Sequence, residues 1–204
     1  MERRTQAERR AESRARIIDA AAELLAVNGY ARTSLVEIGR VAGLSRGLVS
    51  HHFGSKEACM RAVLCHISQT VIDQMTGIGS VGLDGIDRAI DVYFELVTIG
   101  HLGSRALHVI LTEGMTSTPG LQPAVADANA RVRAALLGIL LGFDPPASAA
   151  AQAAAQPVVV ALEGILRGVS LQWMADPANI DLDAAVATIK QMVNHTITAS
   201  GLVG

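Results

Sequence analysis

The chain has 204 residues, of which 50% are hydrophobic and 3% aromatic, and a formal net charge of −2. That length allows one or two small domains with a real core, and the scarcity of strand patterns favours an all-α fold. The two cysteines, Cys59 and Cys65, lie six residues apart on one predicted helix, too far apart for a disulfide, which fits a reducing cytoplasm. Because no set of metal ligands accompanies them, neither a metal nor a cofactor is expected.

The N-terminal segment is rich in charge. Its first 16 residues contain six arginines and three glutamates. No apolar stretch follows, as a secretion signal would require, and a transit peptide would be poor in acidic residues. We interpret the segment as a solvated arm that leads into the first helix. Two possibilities stay open: its arginines lie along a neighbouring phosphate or minor groove, or it is a disordered charged tail.

The first two helices are predicted from apolar spacing and caps. The spacing predicts a first helix over residues 5–27 that ends at Gly29. Ser34 and Glu37 have the spacing of a capping box, so a second helix should begin at Leu35.

Caps and a turn then predict a helix-turn-helix. Gly43 can adopt the positive φ with which the second helix ends. Ser45 is placed to cap a third helix, and Ser55 a fourth. The second helix of such a motif fits the major groove of DNA, which admits one α-helix.

The third helix has a polar outer side. On a helical wheel this side contains Arg46, Gly47, Ser50 and His51, and the inner side contains Leu48, Val49, His52 and Phe53. An arginine can donate two hydrogen bonds to one guanine, and a glycine lets the backbone approach the groove closely. The alternative is an ordinary solvated helix face.

Six further helices are predicted. Their approximate ranges are 55–75, 83–99, 104–116, a longer helix that ends near 141, 147–174 and 181–200. Asp181 should cap the last helix, and Pro157 should kink the one before it. The most apolar run, residues 147–166, contains two glutamines, a proline and a glutamate, so we interpret it as a buried bundle helix rather than a membrane span.

Residues 77–82 match the dinucleotide-binding motif G-x-G-x-x-G. That motif works only between a strand and a helix, whereas here a predicted helix precedes it. We therefore interpret the segment as a flexible hinge.

Residues 17–64 resemble the DNA-binding domain of TetR-family transcriptional regulators. The matching residues are Ile17–Ala21, Leu24, Leu25, Gly29, Tyr30, Thr33, Ser34, Ile38, Ala42–Ser45, Gly47–Val49, His52, Phe53 and Ser55–Ala58. Ser50 stands where the family most often has a tyrosine. The run Ser50–Gly54 resembles, more narrowly, the choline-responsive betaine regulators of this family.

The resemblance implies a helix-turn-helix DNA-binding domain over residues 1–54. It also implies a helical domain over residues 55–204 that binds a small-molecule effector and forms the homodimer. The protein is then expected to be a cytoplasmic repressor that binds a pseudo-palindromic operator in double-stranded DNA as a dimer and is released by the effector.

The resemblance assigns DNA contacts to seven positions, and three hydroxyl residues, Thr33, Ser34 and Ser45, could also donate hydrogen bonds to phosphate. The base-reading positions are Arg46, Gly47, Leu48 and Ser50, and the positions expected to contact phosphate are Thr33, Ser34, Ser45, His51, His52 and Lys56. The charge distribution agrees: residues 1–61 contain 11 Lys/Arg and 7 Asp/Glu, a net of +4, whereas the rest contains 6 and 12, a net of −6.

Dimer and effector sites are predicted in the later helices. The candidate dimer residues are Val160, Ala161, Gly164, Gly168, Leu171, Leu182, Val186, Ile189 and Val193; alternatively, these stripes face the core of the monomer. The candidate effector residues are Phe94, His101, His108, Met115, Asn129 and Trp173, although such side chains are more often satisfied core residues. With so few aromatic residues, an aromatic cage for a quaternary amine is hard to build, which counts against the choline-responsive subgroup.

The sequence disfavours two other functional classes. An enzyme is not expected, because the sequence contains no nucleophile–base set, no metalloprotease motif and no usable phosphate loop. The alternative within DNA binding is a nonspecific architectural protein, which would need a more basic chain and apolar wedges for the groove.

Overall fold

The computed structural model describes residues 5–99 and 101–202, without the side chain of His101. Over these residues the chain forms nine α-helices, one short 3₁₀-helix and no strand, which confirms the predicted all-α fold. The α-helices are α1 (Gln6–Arg32), α2 (Leu35–Ala42), α3 (Arg46–Phe53), α4 (Lys56–Thr76), α5 (Gly82–Ile99), α6 (His101–Met115), α7 (Gln122–Leu141), α8 (Ala149–Ala175) and α9 (Leu182–Ala199); the 3₁₀-helix is Pro119–Leu121.

The reciprocal capping box lies at α1 and not at α2, where the sequence placed it. The Thr5 hydroxyl accepts a hydrogen bond from the Glu8 amide (3.2 Å), and the Glu8 carboxylate accepts one from the Thr5 amide (2.6 Å). At α2 only half of the box forms: the Ser34 hydroxyl accepts from the Glu37 amide at 3.2 Å. The Glu37 carboxylate instead accepts from Nε of Arg40 at 3.0 Å, because that cation lies one turn away.

Two glycines set the path of the first helices. Gly29 has φ of 73° and interrupts α1. The helix was predicted to end at Gly29, but it resumes for a short stretch to Arg32. Gly43 has φ of 64° and ends α2 in the left-handed conformation, as predicted. The guanidinium of Arg16 donates a hydrogen bond to the carbonyl of Ala42, so a side chain from α1 satisfies the last turn of α2.

The chain divides into two compact units. The first comprises residues up to Ile67 together with Leu102–Ala126, and the second comprises Ser68–His101 and the residues from Asp127 onward. In the first unit α1 packs on α2 and α2 on α3. Fully buried side chains of that unit include Ile17, Leu25, Ile38, Val49, Met60 and Leu64. Burial raises the pKa of the Cys59 thiol in this core to about 12.

The second unit is built around α5, α7, α8 and α9. Its core includes Ile86, Ile90, Leu136, Ile139, Leu140, Val159 and Leu162. Two polar contacts join α9 to α5: Nδ2 of Asn194 donates to Asp87 at 3.0 Å, and Nζ of Lys190 lies 2.6 Å from Asp91. Asp181 caps α9 through the amide of Ala184, as predicted.

Helix α8 has one buried and one exposed side. By length and composition alone, it is the one helix among the described residues that could cross a membrane. Its inner side, with Ala155, Val159, Leu162 and Leu166, belongs to the core of the second unit, but most of the helix is not buried. The predicted buried bundle helix is therefore buried on one side only, and it continues through Pro157.

The crossing of α2 and α3 depends on Gly39. A Cβ atom at this position would lie 2.9 Å from the carbonyl oxygen of Leu44 and 3.3 Å from Cγ2 of Val49. We expect Gly39→Ala to lower the free energy of unfolding by about 1–3 kcal/mol, because the two helices must separate slightly. Urea denaturation followed by circular dichroism measures this.

Gly47→Ala is the matched control for that substitution. A Cβ atom at Gly47 would meet only Oγ of Ser45, at 3.9 Å. In an open helical position alanine should stabilise by about 0.5–1 kcal/mol. Equal unfolding midpoints for the wild type and Gly39→Ala would contradict the close packing of α2 and α3.

Candidate DNA-binding surface

Helix α3 presents its polar side to solvent. Arg46, Gly47 and His51 are exposed, and Ser50 is half-buried. Val49, on the opposite side, is fully buried, which agrees with the helical wheel. Leu48 and His52 are half-buried between the two sides. An eight-residue helix with an exposed arginine in its first turn can enter a major groove.

Two serines cap the helices of this surface. The Ser34 hydroxyl accepts from the Glu37 amide, and the Ser45 hydroxyl accepts from the Leu48 amide, each at 3.2 Å. Both serines are exposed. Because a hydroxyl group can accept and donate at once, each retains its proton for a phosphate oxygen.

Thr33 does not lie on this surface, contrary to its predicted role. Its side chain is 1% exposed, and its hydroxyl donates to the carbonyl of Gly29 at 2.8 Å. The hydroxyl satisfies a backbone carbonyl left open where Gly29 interrupts α1. The sequence signal, a Thr-Ser pair before a capped helix, did not distinguish which of the two hydroxyls faces inward.

Lys56 stands at the start of α4, but its ammonium group is turned toward α1. Nζ donates to the carbonyl of Tyr30 at 2.5 Å and lies 3.9 Å from the centroid of the Tyr30 ring. Burial lowers the pKa of Lys56, and the negative charge of Glu113 opposes that shift. In this arrangement the ammonium group of the half-buried Lys56 contacts Tyr30.

Arginines of α1 add to the basic surface beside α3. The guanidinium of Arg14 lies 5.5 Å from the centroid of the Phe53 ring. Burial lowers the pKa of His52, and the positive charges of Arg10, His51 and Arg14 lower it further. Arg10 and Arg14 were not among the predicted DNA contacts. Their i, i+4 spacing within a capped helix was the available signal, because it places both on one face.

The predicted dimer stripe of α8 is accessible, but that of α9 is not. Val160, Ala161, Gly164 and Leu171 are exposed and Gly168 is half-buried. In α9, by contrast, Ile189 and Val193 are buried in the core of the second unit, and Leu182 and Val186 pack against it. The apolar stripe of α9 faces α5 and α8, so the alternative of a core stripe applies to these four residues.

The effector candidates occupy different environments. Phe94 is buried in the core of the second unit and Trp173 packs against it, while the Asn129 side-chain oxygen accepts from Arg167 at 2.9 Å. In the first unit His108 is buried with Nδ1 2.7 Å from the carbonyl of Ser104, and Met115 is 70% exposed. The side chain of His101 lies outside the described residues.

A cavity of about 380 Å³ opens between α5 and α9 in the second unit. Of the described effector candidates, only Phe94 lines it. Arg88, Asp91, Glu95 and Asp183 line it as well, so it combines an apolar wall with an excess of acidic groups. In the part of the chain that the structure describes, no group of three His, Cys, Asp or Glu side chains could hold a metal ion.

The helix-turn-helix region and the whole chain both have known counterparts. Residues 17–63 match the family model of bacterial regulatory proteins, tetR family. Over 196 residues the chain is 29% identical to the HTH-type transcriptional regulator TtgR of Pseudomonas putida, in an alignment that covers 89% of each chain.

Solved structures share the fold at low sequence identity. NalD, the secondary repressor of the MexAB-OprM multidrug efflux pump in Pseudomonas aeruginosa, matches with a TM-score of 0.68 and 20% identity over 92% of this chain and 96% of that one. EbrR, a multidrug binding protein complexed with ethidium, matches with a TM-score of 0.66 and 20% identity over 88% of this chain and 97% of that one. At such identities these structures establish the fold alone.

These findings agree with the geometry of the first unit. The family model spans α2, α3 and the helices that support them, and TtgR aligns beyond that region into the second unit. The proteins that match are transcriptional regulators rather than enzymes, which agrees with the expectation that the chain is not an enzyme. The chain is thus similar to TetR-family transcriptional regulators, over residues 17–63 by the family model and over 89% of its length by the alignment with TtgR.

Proposed function

We propose that the protein is a homodimeric repressor that binds a pseudo-palindromic operator and is released by a small-molecule effector. The single observation that carries the DNA-binding part is the exposed polar side of α3, headed by Arg46 and flanked by two serine-capped helix ends. The second unit would carry the dimer contact and the effector. Since it acts on DNA, its proposed location is the cytoplasm.

Base contacts are proposed for Arg46, Gly47, Leu48 and Ser50. The exposed guanidinium of Arg46 can donate two hydrogen bonds to guanine O6 and N7. Gly47 is exposed and without near neighbours, so the backbone of α3 can lie close to the floor of the groove. Phosphate contacts are proposed for Ser34, Ser45, His51, His52, Lys56 and the α1 residues Arg10 and Arg14.

A second copy of the chain is proposed to cover the exposed side of α8. This side leaves Val160 and Leu171 each 48% exposed, and the neighbouring α9 leaves Met192 55% exposed. A Cβ atom at Gly164 or Gly168 would meet nothing within 4 Å, so these glycines offer room for a partner helix to approach closely. One short recognition helix reads few bases, and a two-fold dimer doubles the site.

The repressor role is supported by NalD, which is a repressor with the same fold. The effector role is supported by EbrR, which binds ethidium, and by the cavity of about 380 Å³ in the second unit. That volume lies within the range of small-molecule sites, and its acidic lining suits an amphipathic cation. An effector that binds better to a non-DNA-binding form would release the operator by population shift.

The direct experiment is a fluorescence-anisotropy titration with the DNA upstream of the protein's own gene and with a scrambled duplex. Specific binding predicts an affinity at least about a thousandfold higher for the operator at physiological salt. Equal affinity for both duplexes would instead identify a nonspecific architectural protein. Titration of ethidium, choline and an anionic dye into the complex would then identify the effector class, with choline testing the narrower betaine-regulator resemblance.

Operator affinity should rise as the pH falls from 8 to 6, because of His52. A nearby phosphate favours the imidazolium form and opposes the lowered pKa of His52, so binding takes up a proton. Each proton taken up changes the affinity by up to about tenfold per pH unit. We expect His52→Gln to reduce this slope and His195→Gln, an exposed histidine of α9, to leave it unchanged.

For the free protein the lowered pKa of His52 has the opposite effect, because folding stability falls, rather than rises, as the pH falls. The lowered pKa means that the unfolded chain binds the proton more readily than the folded chain. The contribution of neutral His52 to stability is therefore complete at a pH above 6.5, the ordinary pKa of histidine, and is lost as the pH falls below that value.

Operator affinity that is equal at pH 6 and pH 8 in the wild type would contradict a phosphate contact by His52.

A further inference from the structure

Four side chains of the first unit form a polar cluster around Lys56, which we name the Lys56 cluster: Tyr30, Lys56, Glu113 and Thr118. Nζ of Lys56 donates to the Tyr30 carbonyl at 2.5 Å and lies over the Tyr30 ring at 3.9 Å from its centroid. Burial raises the pKa of Tyr30, and hydrogen bonding by the Thr118 side chain opposes that shift. The Thr118 hydroxyl donates to Oε2 of Glu113 at 3.4 Å, and the Thr118 amide donates to the Glu113 carbonyl at 2.8 Å.

The cluster links the DNA-binding helices to the end of α6. Tyr30 belongs to the short stretch of α1 beyond Gly29, Lys56 begins α4, and Glu113 lies in the last turn of α6. The neighbouring Glu57 also approaches this region, since a Cβ atom at Gly120 would lie 2.7 Å from its Oε2. The turn after α6 thus lies close to the start of α4.

A DNA phosphate and the Lys56 cluster need the same ammonium group. An ammonium group has three donors, and here one is bonded to the Tyr30 carbonyl while the ring covers another side. A phosphate bound at the N-terminus of α4 would attract the group in a different direction. To reach phosphate, Nζ must leave the Tyr30 carbonyl and ring.

We propose that Tyr30 and Glu113 are positioning residues that hold Lys56 in competition with operator phosphate, and so set the operator affinity of this protein. The proposal rests on the proposed DNA-binding function. The negative charge of Glu113 acts on Lys56 in the arrangement in which the lysine lies on Tyr30, so it favours the DNA-free arrangement. Removal of that charge should strengthen operator binding, although Glu113 is not part of the helix-turn-helix.

The test compares Glu113→Gln with Glu23→Gln. Glutamine keeps an oxygen for Thr118, and Glu23 is an exposed residue of α1 in the same unit, so both variants change the net charge of that unit equally. We expect Glu113→Gln to bind the operator about threefold more tightly than Glu23→Gln, the size of one partly screened charge pair. In a Lys56→Gln background the advantage of Glu113→Gln should disappear.

The release of Lys56 has a second readout, by NMR. In the free protein the Tyr30 ring should shift the Lys56 ε-methylene protons upfield, and this shift should vanish when operator is added. Equal affinities of the two glutamine variants, an advantage that persists without Lys56, or an upfield shift retained on DNA would each overturn the proposal. If the wild type binds operator no better than scrambled duplex, it is the proposed function that fails, and the upfield shift in the free protein still tests the cluster.

Discussion

Arg46→Ala should remove the preference of this protein for its operator more than it weakens DNA binding overall. An arginine that donates to guanine O6 and N7 contributes about 1–3 kcal/mol of discrimination at its base pair, which is roughly a tenfold to hundredfold change in relative affinity. The exposed position of Arg46 in the first turn of α3 means that its removal leaves the core intact. Anisotropy titrations with operators substituted at single base pairs measure the loss, which should be confined to one position in each half-site.

Arg32→Ala provides the matched control. Arg32 is also exposed and lies at the end of α1, so this change removes the same charge from the same unit without touching α3. It should weaken binding to all duplexes by a similar factor and leave the ranking of operator variants unchanged. Should Arg46→Ala behave in the same way, Arg46 would be a phosphate contact and base reading would have to come from other residues.

Val160→Asp should convert the protein to a monomer with weak operator binding. Val160 is 48% exposed on α8, so a carboxylate there is hydrated in the monomer but would be buried without a partner in the proposed dimer. Burial of an unpaired charge costs several kcal/mol, enough to dissociate the dimer at micromolar concentration. Light scattering measures the mass, and operator affinity should fall by about a hundredfold or more, because the half-sites are then bound independently.

Val81→Asp is the corresponding control, since Val81 is 52% exposed and lies before α5 in the same unit. It should leave the mass and the operator affinity unchanged. A Val160→Asp variant that stays dimeric would place the dimer contact elsewhere on the second unit. Circular dichroism of both variants separates this outcome from misfolding.

The helix-turn-helix was predictable because short-range chemistry determines it. Ser45, Ser55 and Asp181 cap helices as expected, and Gly43 has the positive φ that its place between two helices requires. The inner position of Val49 followed from helical periodicity alone. Each of these features depends on residues within one or two turns, which a single sequence displays directly.

Most of the errors concern contacts that the pattern of side chains along the sequence does not display. Periodicity identified apolar stripes on α8 and α9, but not that Ile189 faces the core of its own unit. The Tyr30 carbonyl that accepts from Lys56 and the Gly29 carbonyl that accepts from Thr33 are backbone groups, so they leave no mark in the sequence pattern. The capping box at Thr5 and Glu8 is also local, but only the one at Ser34 and Glu37 was predicted.

The contacts of Arg14 and Arg16 make the N-terminal half of α1 a structural part of the helix-turn-helix domain. Arg14 covers the ring of Phe53 at the end of the recognition helix, and Arg16 completes the last turn of the helix before it. Domain-swapping chimeras that exchange operator specificity between regulators therefore need a junction upstream of these arginines. A graft restricted to α2 and α3 would carry over the side chains that contact bases, but it would lose the contacts of Arg14 with Phe53 and of Arg16 with Ala42 that orient them.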